Sequence, residues 1–156
     1  MKALTVFYSR TGFTKKAAQE VAKALRSDLE EITDPASRAG LIGYLKSGRE
    51  AVARKLPLIN SQKKDPSKYD IVVLCTPVWA GRMASPVRTY ISQNRGKLKK
   101  VAFFATQGSA SEQRVFSDME TTLGKPPISS LYLTAKEVAE GNYTAKVREF
   151  ASRLRK

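Results

Sequence analysis

The sequence has no histidine and only one cysteine, Cys75, and these shortages exclude several kinds of chemistry. Without an imidazole there can be no Ser-His-Asp triad, no Cys-His pair and no histidine-ligated zinc or haem. A single cysteine can form neither an internal disulfide nor a CxxC metal site. The cysteine content is therefore typical of a reducing cytoplasm. We interpret Cys75, which ends an apolar run, as a small core residue.

Long hydrophobic runs are lacking, and acidic residues are few. The opening apolar run, residues 2–8, is far too short for a membrane helix and has no secretory cleavage site. The chain has 28 Lys and Arg against 14 Asp and Glu, which gives a net charge of +14. Its 156 residues, 42% hydrophobic and 27% charged, are typical of a globular protein. We expect residues 1–156 to form a single domain in the cytoplasm.

Short β-rich runs alternate with longer helical stripes along the chain. Strands are predicted at residues 3–8, 28–32, 70–75, 100–106 and 131–138. Helices are indicated by apolar residues at helical spacing, in groups that begin at Ala17, Leu41, Val87, Val115 and Val147. The second of these, with Leu41, Leu45, Val52 and Leu56, should end before Pro57. Strict alternation predicts an α/β fold in which a doubly wound parallel sheet has helices on both faces.

The first strand is followed by a loop rich in hydroxyl groups. In a doubly wound sheet, ligands bind beyond the carboxyl ends of the strands. The loop at 9–14 contains Ser9, Thr11, Gly12 and Thr14 and leads directly into a helix. Free amide groups and the helix dipole favour an anion there. The spacing matches neither the nucleotide-hydrolysing P-loop nor GxGxxG, which leaves a site for one terminal phosphate. The alternative is an ordinary capped turn.

Two further loops follow strands that should end at the same edge of the sheet. The loop at 76–84 holds Trp79, the only tryptophan, which could cover the face of a planar aromatic ligand. The alternative for Trp79 is an anchor that folds back onto the core. The loop at 106–111 offers Gln107, small residues and backbone groups for the edge of a polar ring.

Together these loops resemble those of the flavodoxin family over essentially the whole chain. The family's phosphate loop, (S/T)-x-T-G-x-T, is met by Ser9, Thr11, Gly12 and Thr14, and the segments 76–81 and 106–109 are similar to its two ring-contacting loops. The resemblance implies a five-stranded parallel sheet of order 2-1-3-4-5 and bound FMN. It implies that the phosphate loop binds the phosphate, that Trp79 stacks on the ring and that Gly108 faces its pyrimidine edge. It implies neither a metal nor a catalytic side chain. The cofactor-binding residues would be Ser9, Arg10, Thr11, Gly12, Phe13, Thr14, Thr76, Pro77, Val78, Trp79, Ala80, Gly81, Thr106, Gln107 and Gly108.

Three functions are compatible with this resemblance. The first is an electron carrier that shuttles electrons through FMN between a reductase and an acceptor. The second is an FMN-dependent oxidoreductase of the NAD(P)H:quinone reductase or protoporphyrinogen oxidase type. The third is a binding module that has kept the fold without the flavin. We expect the carrier, because no separate nicotinamide domain fits within this length.

The positive charge departs from the acidic character usual in flavodoxins. It is concentrated at residues 38–68, at 95–100 and in the last helix. Such a surface keeps a protein soluble, or it docks an acidic redox partner or an anionic membrane. Specific nucleic-acid binding is not expected, because aromatic residues do not interleave the basic runs.

Overall fold

A parallel β-sheet forms the centre of the structure, a computed structural model that describes residues 1–108 and 114–156. The strands are β1 (Ala3–Phe7), β2 (Asp28–Glu31), β3 (Ile71–Trp79), β4 (Arg82–Met83), β5 (Lys100–Gln107) and β6 (Ser130–Thr134). Five of them are parallel, in the order β2-β1-β3-β5-β6, and the two-residue β4 pairs antiparallel with β3. Counted in chain order without β4, the parallel strands have the predicted 2-1-3-4-5 order. The predicted fold is confirmed.

Helices cover both faces of the sheet. They are α1 (Phe13–Leu25), α2 (Gly40–Val52), α3 (Ser85–Asn94), α4 (Val115–Leu123), α5 (Ala135–Glu140) and α6 (Thr144–Leu154). Alternate residues of β1 enter two apolar clusters, with Leu4 and Val6 on the side of α3 and α4 and Phe7 on the side of α1 and α6. Burial on both faces explains why the central strands are almost continuously apolar. Within the described ranges, no helix has the length and apolar character needed to cross a membrane.

The predicted strand at 131–138 is too long. Strand β6 ends at Thr134, where α5 begins with a capping box: the Thr134 hydroxyl accepts from the Glu137 amide, and the Glu137 carboxylate accepts from the Thr134 amide. This reciprocal pair satisfies amide groups that the helix start would otherwise leave unpaired. Val138, which we assigned to the strand, is instead the buried residue of α5.

The segment 76–84, predicted to be a loop, contains a tight hairpin. Strand β3 continues to Trp79, the chain turns at Ala80 and Gly81, and Trp79 pairs with Arg82 of β4. Both turn residues have positive φ, 51° and 77°, which is the backbone of a type I′ turn. This turn fixes Trp79 to the end of a central strand of the sheet.

Helix α2 ends earlier than predicted and presents its apolar stripe to solvent. The helix stops at Val52, so Leu56 lies beyond it, and Arg54 adopts a left-handed φ of 52°. Its buried residues are small, Gly43 among them. A Cβ at Gly43 would lie 2.2 Å from the carbonyl carbon of Arg38, so only glycine permits this close approach.

Candidate functional site

The loop after β1 leads into α1, and a side-chain hydrogen bond links the first turn of α1 to the end of β5. Gly12, with φ 99°, precedes the helix, and its amide donates to the Ser9 hydroxyl at 3.0 Å. The Thr14 side chain is buried, and its hydroxyl lies 2.7 Å from that of Thr106. Among the described residues, no side chain caps the helix. Ser9 therefore serves the turn itself, while the first-turn amides of α1 are available to an anion.

Arg10 lies beside this loop but has neighbours of its own. Its guanidinium donates to the carbonyl oxygens of Arg38, at 2.9 Å, and Gly40, at 3.0 Å. The same group lies over the Tyr44 ring, 5.6 Å from the centroid. Arg10 thus links the phosphate-type loop to the start of α2, and its charge stays close to the loop.

Trp79 is held on two sides by protein groups. The indole is 7% exposed, and Tyr8 meets it edge-on with ring centroids 5.5 Å apart. The Arg38 guanidinium lies over the indole, 5.1 Å from its centroid. Trp79 therefore belongs to the apolar core, as the anchor interpretation expects, and it also lines the ligand pocket described below. Its stacking on a flavin stays a prediction.

Arg38 is the centre of a buried charged network that sequence reasoning missed. Its side chain is 3% exposed and lies 2.8 Å from both Asp34 and Glu50. The Tyr8 hydroxyl donates to Asp34 at 3.3 Å. Burial, together with the nearby Asp34 carboxylate, raises the pKa of Tyr8 to about 12. Asp34 lies only four residues before Arg38, but the sequence does not show that the pair is buried, because Glu50 and Trp79 reach Arg38 through the tertiary fold.

Gln107, the last residue of β5 and predicted to belong to the third loop, has an unsatisfied side-chain amide. The residue is 5% exposed, and among the described residues neither its Oε1 nor its Nε2 has a hydrogen-bond partner. A buried amide without partners costs about 1–3 kcal/mol, so a ligand with a polar edge would stabilise it. Ser109, predicted to belong to the same loop, lies outside the described residues.

The three loops meet in one pocket of about 220 Å³ at the carboxyl edge of β1, β3 and β5. Of the residues predicted from the sequence, it is lined by Arg10, Thr11, Phe13, Thr14, Pro77, Val78, Trp79, Thr106, Gln107 and Gly108. Tyr44 and Ala135 line it as well, although the sequence did not indicate them. A second cleft, of about 530 Å³, shares Tyr44, Val78 and Trp79 with the pocket. The two spaces are therefore neighbours, with these three residues between them.

The remaining predicted residues do not line this pocket. Ser9 and Gly12 form the tight turn between β1 and α1. The Thr76 hydroxyl accepts from the Ala84 amide at 2.9 Å, which holds the hairpin closed. Ala80 lines the second cleft, and Gly81 supplies the left-handed turn. These residues build the loops around the pocket, and their contact with a cofactor stays a prediction.

The fold is an open α/β sheet, and the pocket lies where its strand order reverses, which is where ligands bind in such sheets. The chain belongs to the flavodoxin family, since the family model described as Flavodoxin matches residues 2–147. A flavoprotein in complex with FMN, from Lactobacillus acidophilus NCFM, is 25% identical. That match covers 89% of this chain and 97% of the other, with a TM-score of 0.74.

More distant structures share the fold alone. Two-electron reduced Megasphaera elsdenii flavodoxin is 16% identical, with a TM-score of 0.62 over 97% of this chain and 98% of its own. An NADH:FMN oxidoreductase in its apo form is 12% identical, with a TM-score of 0.60 over 99% of this chain and 89% of its own. Because a flavodoxin and an oxidoreductase share this architecture, function has to be argued from the site.

Proposed function

We propose that this protein is an electron carrier that passes electrons between a reductase and an acceptor through FMN. The chain is a flavodoxin-like flavoprotein, and FMN is its cofactor. FMN, when bound, accepts and donates one or two electrons. The observation that carries the proposal is the meeting of three loops in one pocket whose described lining residues include no carboxylate, lysine or thiol. The sequence contains no imidazole that could act as a general acid or base.

The residues of the pocket divide the work of holding the cofactor. The first-turn amides of α1 and the hydroxyl of Thr11 would bind the phosphate, and the Thr14–Thr106 pair would fix the distance between the first and third loops. Gln107 would turn its unpaired amide toward the polar edge of the ring. Trp79 and Val78 supply apolar surface.

The net charge of +14 favours acidic redox partners. Opposite charge speeds the encounter of two proteins and sets their orientation, so we expect association with the reductase to weaken as the salt concentration rises.

Anaerobic reduction of the FMN-loaded protein distinguishes a carrier from an oxidoreductase. We expect NADH or NADPH alone to bleach the flavin absorbance slowly, and a catalytic amount of a flavodoxin reductase to make bleaching fast. Rapid bleaching by the nicotinamide nucleotide alone would contradict the carrier and support the oxidoreductase. Purified protein that takes up no FMN would contradict both.

A matched pair of variants tests the site itself. Thr14→Val removes a hydroxyl at the pocket, whereas Thr5→Val removes one that pairs with Ser27 at the same distance, 2.7 Å, outside it. We expect T14V to weaken FMN binding about fivefold, because one hydrogen bond contributes about 1 kcal/mol, and T5V to leave FMN affinity unchanged. Equal effects of the two variants on FMN affinity would show that the pocket is wrongly placed.

A further inference from the structure

Helix α2 exposes large apolar side chains where a surface helix normally exposes polar ones. The exposed fractions are 74% for Leu41, 83% for Ile42, 56% for Leu45 and 58% for Val52. Leu41, Leu45 and Val52 lie at i, i+4 and i+11, so they form one stripe along the helix. Contiguous exposed apolar surface of this kind marks an interaction site.

The same helix is basic. Lys46 and Arg49 are exposed beside the stripe, and neither forms an ion pair with any residue that the structure describes. We call Leu41, Ile42, Leu45, Val52, Lys46 and Arg49 the α2 face. The single acid of the helix, Glu50, is bound by Arg38 at 2.8 Å and by the Ser85 hydroxyl at 2.9 Å. The helix therefore has no unpaired acid of its own to offset the basic side chains of the α2 face.

The bases continue beyond the helix. Between residues 53 and 64 the chain adds Arg54, Lys55, Lys63 and Lys64 and has no acid. Leu56 and Leu58, in the same segment, are 59% and 75% exposed. The occupant of this surface must therefore offer both apolar contact and negative charge.

Three occupants meet this requirement to different degrees. A second copy of the chain would bring a net charge of +14 against +14 and would place Lys46 and Arg49 near their own equivalents. A different protein is a weaker match, because protein interfaces are depleted in lysine and the residues that dominate their binding energy are Trp, Tyr and Arg rather than Leu. An anionic bilayer takes up leucine and isoleucine at its acyl boundary, while its phosphates attract lysine and arginine.

We propose that the α2 face docks the protein on the surface of an anionic lipid bilayer, with the apolar stripe in the headgroup region. Leu45 and Val52 also line the cleft that Tyr44, Val78 and Trp79 share with the candidate cofactor pocket. Docking would thus bring the rim of that pocket close to the membrane. The proposal concerns the surface alone and holds whether or not the protein carries electrons.

Vesicle co-sedimentation tests the apolar part of the α2 face. We expect the protein to bind vesicles of phosphatidylcholine that contain phosphatidylglycerol, and to bind pure phosphatidylcholine weakly. Leu41→Ser with Ile42→Ser should lower the partition coefficient about a hundredfold, since burial of each side chain is worth a factor of ten or more. The control, Ile128→Ser with Tyr132→Ser, replaces exposed apolar residues elsewhere and should leave partitioning unchanged.

A second pair of variants tests the charge. Lys46→Gln with Arg49→Gln should weaken vesicle binding about thirtyfold. The control, Lys99→Gln with Lys100→Gln, changes exposed lysines at the amino-terminal end of β5 and should weaken binding far less. Unchanged thermal midpoints show that the variants fold. Equal losses for the two charge pairs would overturn the proposal, because net charge alone would explain binding. No binding to phosphatidylglycerol vesicles would overturn it, as would a dimer in sedimentation velocity that L41S/I42S abolishes without any effect on vesicle binding.

Discussion

Replacing Arg38 with methionine removes the cation that joins Asp34, Glu50 and Trp79. The Arg38 side chain is 3% exposed, and its nitrogens lie 2.8 Å from each of the two carboxylates. Asp34 is 4% exposed and Glu50 16%, so neither carboxylate can recover full hydration when its partner is removed. Methionine approximates the length of the arginine stem but supplies no donor.

The expected loss follows from the two carboxylates left behind. Removing one partner of a buried ion pair costs about 3–5 kcal/mol, because the other charge stays buried without compensation. The substitution also removes the cation–π contact between the Arg38 guanidinium and the Trp79 ring. We expect Arg38→Met to lower the free energy of unfolding at pH 7 by about 3–5 kcal/mol, and Arg38→Lys, which keeps the charge but not the planar fork, by less.

The loss should depend on pH in a defined direction. Burial raises the pKa of Glu50, but hydrogen bonds from Arg38 and Ser85 outweigh burial and hold that pKa below the ordinary value of 4.5. In the wild type, the stability from this carboxylate is present above pH 4.5 and is lost as the pH falls through the lower folded-state pKa. In R38M the Glu50 carboxylate is still buried but has lost its cation. Protonation of this carboxylate at low pH therefore reduces the loss in the free energy of unfolding. The difference between the two proteins should therefore start to shrink above pH 4.5 and continue to shrink as the pH falls further.

Urea unfolding, followed by the emission of the single tryptophan, measures both effects. Native R38M should show red-shifted emission, because the indole loses its cover. Arg148→Met, which removes an exposed arginine far from Trp79, should change the free energy of unfolding by less than about 0.5 kcal/mol. A loss below about 1 kcal/mol for R38M at pH 7, or one that stays constant from pH 7 to pH 3.5, would refute the reasoning.

Three other substitutions or reagents test separate parts of the structure. Gly43→Ala places a Cβ 2.2 Å from the Arg38 backbone and should lower the free energy of unfolding, measured in urea, by at least about 2 kcal/mol. Gly48→Ala, in open space on α2, should raise it by about 0.5–1 kcal/mol. Equal effects of the two substitutions would contradict the packing of Gly43 against Arg38. Asp118→Asn removes the buried negative charge that lies 2.6 Å from Arg88 and should cost about 3 kcal/mol, against less than about 1 kcal/mol for Glu149→Gln in an exposed pair. Burial raises the pKa of the Cys75 thiol, so a thiol reagent such as DTNB should label the native protein only at the rate of unfolding, and fast stoichiometric labelling would show the strand to be open.

The central strands could be predicted because their signal is strong and local. Residues 70–75 and 100–106 are almost continuously apolar, and only a strand covered on both faces requires that. The end of β6 was missed because the apolar run continues through Val138, while the Thr134–Glu137 capping box, a weaker signal, starts a helix within it. The β3–β4 hairpin was missed because its turn has the sequence Ala80-Gly81, whereas type I′ turns usually have Asn-Gly or Asp-Gly.

The candidate site could be predicted in outline and not in its supports. Loops that follow neighbouring parallel strands must meet at one edge of the sheet, so the predicted topology already brings Thr14, Trp79 and Gln107 together. Arg38 and Tyr44 were missed because their roles arise from tertiary contacts. The orientation of α2 was equally hidden, since its apolar stripe normally indicates a core-facing side, and only the tight approach at Gly43 turns the small residues inward.

Calorimetric titration of the purified, flavin-free chain with FMN and with riboflavin tests the placement of the cofactor phosphate at residues 9–14 most directly. The two ligands share a ring and differ only in the phosphate. FMN should bind and quench the Trp79 emission, and riboflavin should bind at least about tenfold more weakly, since charged hydrogen bonds contribute about 1.5–3 kcal/mol each. Equal affinities for the two ligands, or no binding of either, would contradict this placement of the phosphate.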